Sequence, residues 1–393
     1  MKRSTIAKLV SLAFVSAAGS AQAVSFTQGD ATLDINGTIN GFYSFRSVND
    51  NGAKTDNSAL TNGLLPGWIN FVFTTKTEGM DIKAHVGLAP GINDSSTVVG
   101  LPTAPGAGST AGSTSPFSQI DVRNLYFQFG NDSMGTVKFG RDIGLFAQKI
   151  ILSDMTLLGL GGATNASIPF NTTFGMIGHG YMYTGFQPQI TYTTPDMNGF
   201  SASAGIFQPK DFIGSGETST PGFQAIASYD WKGATPGSVW GGLVHQSTDG
   251  GVANTPTFNA RGFELGAKVG FGNFEAVAYG FDGKGLGLST VGAQFFSPFG
   301  ETDSQGYFLQ GTYKFGKTKV GLNYGENKDK GGTLTETNKS RGVTLGVYHT
   351  LNKYITLVGE WNQEKATGPD AINSGGNGDL KTRTISLGGI IFF

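Results

Sequence analysis

Gly262-Phe263-Glu264-Leu265-Gly266-Ala267-Lys268-Val269-Gly270-Phe271 alternates in character along its whole length. In an extended chain Phe263, Leu265, Ala267, Val269 and Phe271 fall on one side, and Glu264 and Lys268 on the other. That period of two marks a strand with two unlike faces. Gly272 and Asn273 follow, and a second such run begins at Phe274. The pattern recurs upstream in Met80–Leu88, where Ile82, Ala84, Val86 and Leu88 oppose Asp81, Lys83 and His85. It recurs downstream in Tyr307–Phe315 and at the end, where Ile385, Leu387, Ile391 and Phe393 alternate with Thr384, Ser386 and Gly388.

Sixteen runs of this kind can be counted, beginning near Asp34, Trp68, Met80, Ile120, Met134, Gly185, Gly199, Gly222, Ser238, Arg261, Phe274, Ser304, Thr318, Arg341, Tyr354 and Arg383. Their connections alternate long and short. Thr77–Gly79, Asn131–Ser133, Gly272–Asn273 and Gly316–Lys317 are among the short ones, and Ser47–Leu65, Ala89–Ser118, Asp282–Asp303 and Lys365–Thr382 among the long. A soluble sandwich has no reason to gather its long loops at one end. An outer-membrane barrel does, with short periplasmic turns and long extracellular loops. A sheet in hydrocarbon must also close, because an open edge leaves unpaired backbone groups. The expectation is an all-β, transmembrane antiparallel barrel of about sixteen strands, wide enough at that count to hold water. Tyr229, Trp231, Trp240, Tyr354 and Trp361 sit near run ends and suit interfacial girdles.

Composition agrees. The 393 residues include 62 Gly, 30 Phe and no Cys, and only 14% are charged, against about 25% in average soluble domains. Basic and acidic residues number 27 and 28, so no cationic excess points to nucleic acid. Absent cysteine excludes disulfide scaffolds and cysteine zinc sites. At the start, Met1-Lys2-Arg3 precedes the apolar stretch Ile6–Ala18 and the small-x-small sequence Ala21-Gln22-Ala23. This reads as a signal peptide over 1–23, leaving 24–393 as one exported domain. No later stretch reaches the about 18 consecutive apolar residues of a spanning helix.

One segment breaks the alternation. Between Asp142 and about Gly180 there is no period of two, and Ile143, Phe146, Ala147, Ile150 and Ile151 recur at helical spacing, followed by Leu157, Leu158 and Leu160. So much apolar surface is poorly placed facing water. The expectation is that it folds into the lumen and narrows it; a flap packed on neighbouring loops is the alternative. Alternation assigns inward positions to Arg46, Lys83, Lys138, Asp230, Glu264, Lys268, Lys314 and Glu360.

Three sequences carry a resemblance. Gly135-Thr136-Val137-Lys138-Phe139-Gly140-Arg141-Asp142-Ile143-Gly144 resembles the strand that leads into the constriction loop of the Gram-negative general diffusion porins. Ile190-Thr191-Tyr192-Thr193-Thr194-Pro195-Asp196-Met197-Asn198-Gly199-Phe200 is similar to that family's Y-x-S-P-x-x-x-G-F hairpin, with Thr194 in place of serine. Thr75–Lys83 resembles its first periplasmic turn, and Phe393 its terminal aromatic residue, the signal read by the barrel assembly machinery. The resemblance implies a sixteen-stranded homotrimer embedded in outer-membrane lipids. It would pass small hydrophilic solutes and ions down their gradients without a cofactor, and would be neither an enzyme nor a nucleic-acid binder.

It also implies a constriction in which acids of the third loop face basic residues of the wall. By position Arg123 resembles a wall arginine, 18 residues before Arg141, and Asp154 the loop acid. Asn70 stands where a second wall arginine is expected, and the loop holds only Asp142 and Asp154 against Lys149. Arg123 shares parity with Leu125, Phe127 and Phe129, so either a bulge resets the register or Arg123 does not line the pore. The candidates for pore lining and constriction are therefore Arg46, Lys83, Arg123, Lys138, Arg141, Asp142, Lys149, Asp154 and Lys314.

Two readings compete with free diffusion. A solute-specific channel differs in showing saturable binding. A rim hydrolase would use His245-Gln246-Ser247, whose spacing places base and nucleophile on one strand face, although Thr248-Asp249 follows where asparagine-glycine is expected. Gly311–Thr318 fits the phosphate-loop pattern G-x-x-x-x-G-K-[ST], but Tyr313 and Phe315 belong to an alternating strand and another strand follows at once. The four histidines, His85, His179, His245 and His349, have no metal-ligand spacing. Asn49-Asp50-Asn51-Gly52 lacks the closing acid of a calcium loop and reads as a turn.

Overall fold

The computed structural model describes residues 23–92, 120–162, 172–209, 220–248, 257–287, 299–368 and 378–393. The signal-peptide reading falls outside them except at Ala23, as does most of the span 89–118. Strands β1 (Val24–Gln28) to β18 (Gly378–Phe392) pair antiparallel with their neighbours in one sheet that runs around a ring. The ring closes where β18 pairs with β2 (Ala31–Asp50), from Leu380 opposite Asp50 to Phe392 opposite Thr38. β1 continues the β18 position lower down, Val24 opposite Ile35. On its other side β2 pairs with β3 (Ala53–Thr61) above and β4 (Trp68–Thr77) below, so these two pieces share one position in the wall. The wall therefore has sixteen positions, one for each run of the sequence.

The span 47–65 was expected as a long polar loop and is mostly strand. β2 continues to Asp50, turns at Asn51 (φ 50°) and Gly52 (φ 93°), and returns as β3. Positive φ at both central residues is the two-residue turn whose twist matches a hairpin, and asparagine-glycine is its preferred sequence. Alternation without a large apolar set concealed the strands: β3 is Ala-Lys-Thr-Asp-Asn-Ser-Ala-Leu-Thr.

Exposure follows the pleat. On β12 (Phe258–Phe271) Phe263, Leu265, Val269 and Phe271 are exposed while Glu264 is buried. On β14 (Thr302–Phe315) Leu309 and Tyr313 are exposed while Gln310 and Thr312 are buried. The apolar face is the outer one, which hydrocarbon covers. Among the described residues no helix is long and apolar enough to span a membrane; the strands cross it. The apolar core lies inside the ring instead, where Phe146, Ile150, Leu160, Met176 and Tyr181 pack with Phe42, Trp240 and Phe308 of the wall. Trp240, expected in a girdle, is one of these inner residues.

Candidate channel interior

After β7 (Gly135–Ile143) the chain leaves the wall, and among the described residues the next strand is β8 (Phe186–Thr193). Its described part has one turn of helix, Gln148–Ile151, and one 3-10 turn, Met155–Leu158. The helical spacing of Ile143 to Ile151 therefore yields far less helix than it suggests. Seven backbone donors of the segment go to side chains of the inner wall rather than to carbonyls one turn back. Leu145 and Phe146 N–H donate to Gln224 Oε1 of β10 (Gly222–Trp231) at 2.8 and 3.0 Å. Ala147 N–H donates to Glu264 Oε2 of β12 at 2.8 Å, and Met155 N–H to Gln310 Oε1 of β14 at 2.7 Å. Leu160 and Gly161 N–H both donate to Glu360 Oε2 of β17 (Ile355–Gly368), at 2.8 and 2.7 Å. Gly180 N–H donates to Asn327 Oδ1 of β15 (Thr318–Gly331) at 2.9 Å. Leu64 N–H reaches Gly159 O, and Thr173 N–H reaches Gly63 O, both at 2.9 Å, which ties the segment to the 62–67 link between β3 and β4. A buried amide without an acceptor costs about 1–3 kcal/mol, so these side chains fix the path of a backbone that has little secondary structure.

Three carboxylates recur in this scheme, each with a tyrosine hydroxyl. Tyr279 OH donates to Glu264 at 2.7 Å, Tyr348 OH to Glu360 at 2.6 Å and Tyr181 OH to Asp154 at 2.6 Å. Ala147, held by Glu264, has φ 61°, an unusual left-handed value for a residue with a side chain. Asp154 caps the 3-10 turn through Thr156 N–H at 2.9 Å and accepts Asn323 Nδ2 at 3.2 Å. Burial pushes the Asp154 carboxyl above the usual carboxylate range, against the hydrogen bonds of Tyr181, Thr156 and Asn323. Folding therefore takes up a proton here. The resulting penalty is absent below the unfolded carboxylate pKa and grows as pH rises to the raised folded value.

Asp154→Ala is expected to orphan Tyr181 OH, Asn323 Nδ2 and Thr156 N–H, at about 1–3 kcal/mol each, and to expose the segment to protease. Asp154→Asn keeps one acceptor oxygen, is expected to hold the segment, and removes its share of the pH dependence. Limited proteolysis of the folded barrel across a pH series checks both; equal cleavage of the two variants would count against this role.

The other candidates separate into groups. Arg123 resolves the parity conflict: Val122 pairs with Leu88 and Asn124 with Gly87, so Arg123 is the extra residue of a bulge in β6 (Ile120–Asn131). It is buried, pairs with Asp121 at 3.1 Å and lies over the rings of Trp68 and Phe186 at 5.9 and 5.4 Å. Lys138 pairs with Asp142, which also accepts Asn124 Nδ2 at 2.7 Å. Lys83 and Lys138 approach the Tyr126 ring at 5.6 and 4.8 Å. Asn70, in the expected arginine position, joins Asn36 and His85 by hydrogen bonds of 3.0 and 2.9 Å. Lys149 meets Asp230 of β10 at 3.2 Å, and Arg46 is buried on β2 within electrostatic reach of Glu364.

Two candidates stand elsewhere. Arg141 is opposite Leu125, a residue of the outer face, and its Nε donates to Val122 O at 2.9 Å, so it does not line the interior. It is one residue out of phase with Lys138 and Asp142, a parity the motif resemblance overrode. Lys314 has inner parity but sits exposed at the short-turn end beside Phe315, away from the inward segment. Missed altogether were Tyr279, Tyr348, Gln224, Gln310, Asn323 and Asn327. Their signal was a tyrosine or amide side chain in phase with inward Glu264 and Glu360. An aromatic residue on a polar face has something to cover.

A model of the Gram-negative porin family matches residues 9–369. The chain belongs to that family. This porin is an outer-membrane channel for passive diffusion and not an enzyme. Solved structures agree on the fold. An anion-selective porin from Comamonas acidovorans is 19% identical, with a TM-score of 0.62, covering 92% of this chain and 100% of its own. Outer-membrane OmpT of Vibrio cholerae is 13% identical, with a TM-score of 0.60, over 94% and 100%. A trimer form of OmpT is 13% identical, with a TM-score of 0.55, over 93% and 100%. A search of curated protein sequences finds no match. In the porin, Ser247 Oγ bonds Asn259 Oδ1 at 2.8 Å, and both His245 and Ser247 are in phase with outward Leu243. Gly316 (φ 57°) forms part of a tight turn between β14 and β15 with no helix after it.

Proposed function

We propose that Asp142–Gly180 forms the constriction of this porin and that the pore is only weakly ion-selective, admitting neutral and partly apolar solutes beside ions. Local compensation of inner-face charge carries this reading. Lys138 is matched by Asp142, Arg123 by Asp121, Lys149 by Asp230 and Lys268 by Glu275. Glu264 and Glu360 are occupied by amide and hydroxyl donors of the loop and wall. Selectivity needs a ring of one sign left facing the ion, and pairing at this density leaves a weak transverse field. Planar-bilayer current in a tenfold KCl gradient tests it. Ideal selectivity gives about 59 mV for a monovalent ion. The expected reversal potential is a small fraction of that, and a value near the ideal for either ion overturns the reading.

Residues 1–23 serve as the export signal in this reading, and Phe393 as the assembly signal. Its backbone exchanges hydrogen bonds with Gly37 at 2.8 and 3.1 Å, so recognition of that residue would coincide with closure of the ring. A homotrimer is the working assembly, supported by the trimer form of OmpT. An SDS gel run with and without boiling tests it: a band at three times the chain mass before boiling is expected, and a single-chain band in both lanes refutes it.

A further inference from the structure

A partly open cleft of about 410 Å³ lies between the inward segment and those ends of β4, β6, β7 and β8 that are remote from the short turns. Leu64, Leu65, Ile143, Ile151, Leu157 and Phe174 give it apolar walls, and Trp68, Phe186 and Tyr183 add three rings. A cleft of about 300–1,000 Å³ with apolar walls and few polar groups is the usual form of a small-molecule site. Among the described residues no carboxylate lines it, and Arg123 is its one charged side chain. The hydroxyls of Thr173 and Thr184 are already committed to Leu160 O and Gly144 O, at 2.6 and 3.0 Å.

Arg123 stands in this cleft only because of the bulge in β6. Regular alternation would have left it on the outer face with Leu125 and Phe127, and the extra residue turns it inward. Bulges re-aim side chains in this way beside functional sites. The guanidinium lies over the Trp68 and Phe186 rings at 5.9 and 5.4 Å, and Trp68 meets Phe186 edge-on at 5.8 Å. Rings at this distance hold a cation by its face. Arg123 Nε donates to Asp121, which does not line the cleft. Arg141, from the outer side of the same wall, is also within electrostatic reach of Tyr183, so two guanidiniums stand against one carboxylate around that ring. The balance is one positive charge.

We infer that this cleft binds a small aromatic monocarboxylate, with its ring among the apolar walls and its carboxylate against Arg123. Charge sets the number of ionised groups. A single excess positive charge matches a monoanion, and a second carboxylate would be buried against leucine and isoleucine side chains without a partner, which is costly. The walls set the body, because aromatic rings pack edge-on or offset against rings such as Trp68 and Phe186. The forked donors of an arginine suit a carboxylate better than a point charge does. The site adds one saturable step to a channel otherwise open to diffusion. Its part in permeation rests on the proposed constriction by Asp142–Gly180, whereas binding itself does not.

The test uses the folded porin in detergent, titrated calorimetrically with benzoate, benzyl alcohol and acetate, with the heats of empty micelles subtracted. Benzoate should bind saturably, and loss of either the charge or the ring should weaken binding by at least about tenfold. Arg123→Gln should bring benzoate down to the level of benzyl alcohol, and Arg123→Lys should restore part of the difference. In planar bilayers benzoate should lower the KCl current of the parent to a plateau and leave that of Arg123→Gln unchanged. Benzoate binding no tighter than acetate or benzyl alcohol in the parent overturns the proposal without reference to any variant, so failure of a variant to fold does not rescue it. Parental affinity for benzoate in Arg123→Gln overturns it as well. A reversal potential near the ideal value overturns weak selectivity and leaves this site standing, whereas absent benzoate binding removes the site alone.

Discussion

Replacing Glu264 and Glu360 together by alanine is expected to raise the single-channel conductance severalfold and to make its steps noisy. The double change removes the acceptors of Ala147, Leu160 and Gly161 N–H and of the Tyr279 and Tyr348 hydroxyls. Even at the lower figure of about 1 kcal/mol per orphaned buried donor, five donors outweigh most single substitutions. Water entering beside the segment can satisfy those donors only if the segment moves away from β12 and β17. The loop is then no longer held across the interior, while the outer faces of the strands are untouched and the barrel persists. Glutamine at both positions keeps one acceptor oxygen each and should retain conductance near the parental value. Unchanged conductance in the alanine variant would show that these carboxylates do not position the constriction.

A second large effect is expected from Gly325→Val on β15. Even a Cβ there would lie 2.0 Å from His179 O and 2.8 Å from Gly180 Cα, backbone atoms that cannot swing aside. The loop must retreat. Gly180 N–H would then lose Asn327, and His179 would lose Glu364 and Ser340, which it meets at 3.1 and 2.7 Å. Overpacking of this kind costs about 1–3 kcal/mol, before the lost polar contacts are added. A lower unfolding temperature and early protease cleavage after residue 172 are the expected readouts. Gly280→Ala is the matched control, because its Cβ meets nothing nearer than Gly306 O at 3.5 Å. Equal behaviour of the two variants would deny a tight seat for the end of the loop.

Much of this architecture was legible because a membrane sheet writes its two faces into alternate residues. Phe263 and Leu265 against Glu264 set the register of β12 without any knowledge of its neighbours. Alternation failed where chemistry departed from it. β3 has no apolar stripe because, of Lys54, Asp56, Ser58 and Leu60, which share the outer face with Tyr43 and Phe45, only Leu60 is apolar. Arg123 broke parity because one extra residue in β6 turned it inward, and a single chain cannot reveal the two-against-one pairing that does so. Arg141 was misplaced by trusting a motif over its own phase. Inward Glu264 and Glu360 were legible as positions and not as clamps. Their role depends on Ala147 and Leu160 arriving from more than a hundred residues away in sequence, a contact no local pattern encodes.

The seam between β2 and β18 has a consequence in time. On one side of β2, Thr38 finds its partner only in Phe392, so one of the first strands to leave the ribosome waits for the last. Until that strand is delivered, every intermediate is an open sheet with two bare rims able to pair with the rims of its neighbours. Pairings between residues this distant are slow to form. Escort of the unfinished sheet is thus a requirement written into its topology, and a chain cut short anywhere before β18 should be found in aggregates rather than in the membrane.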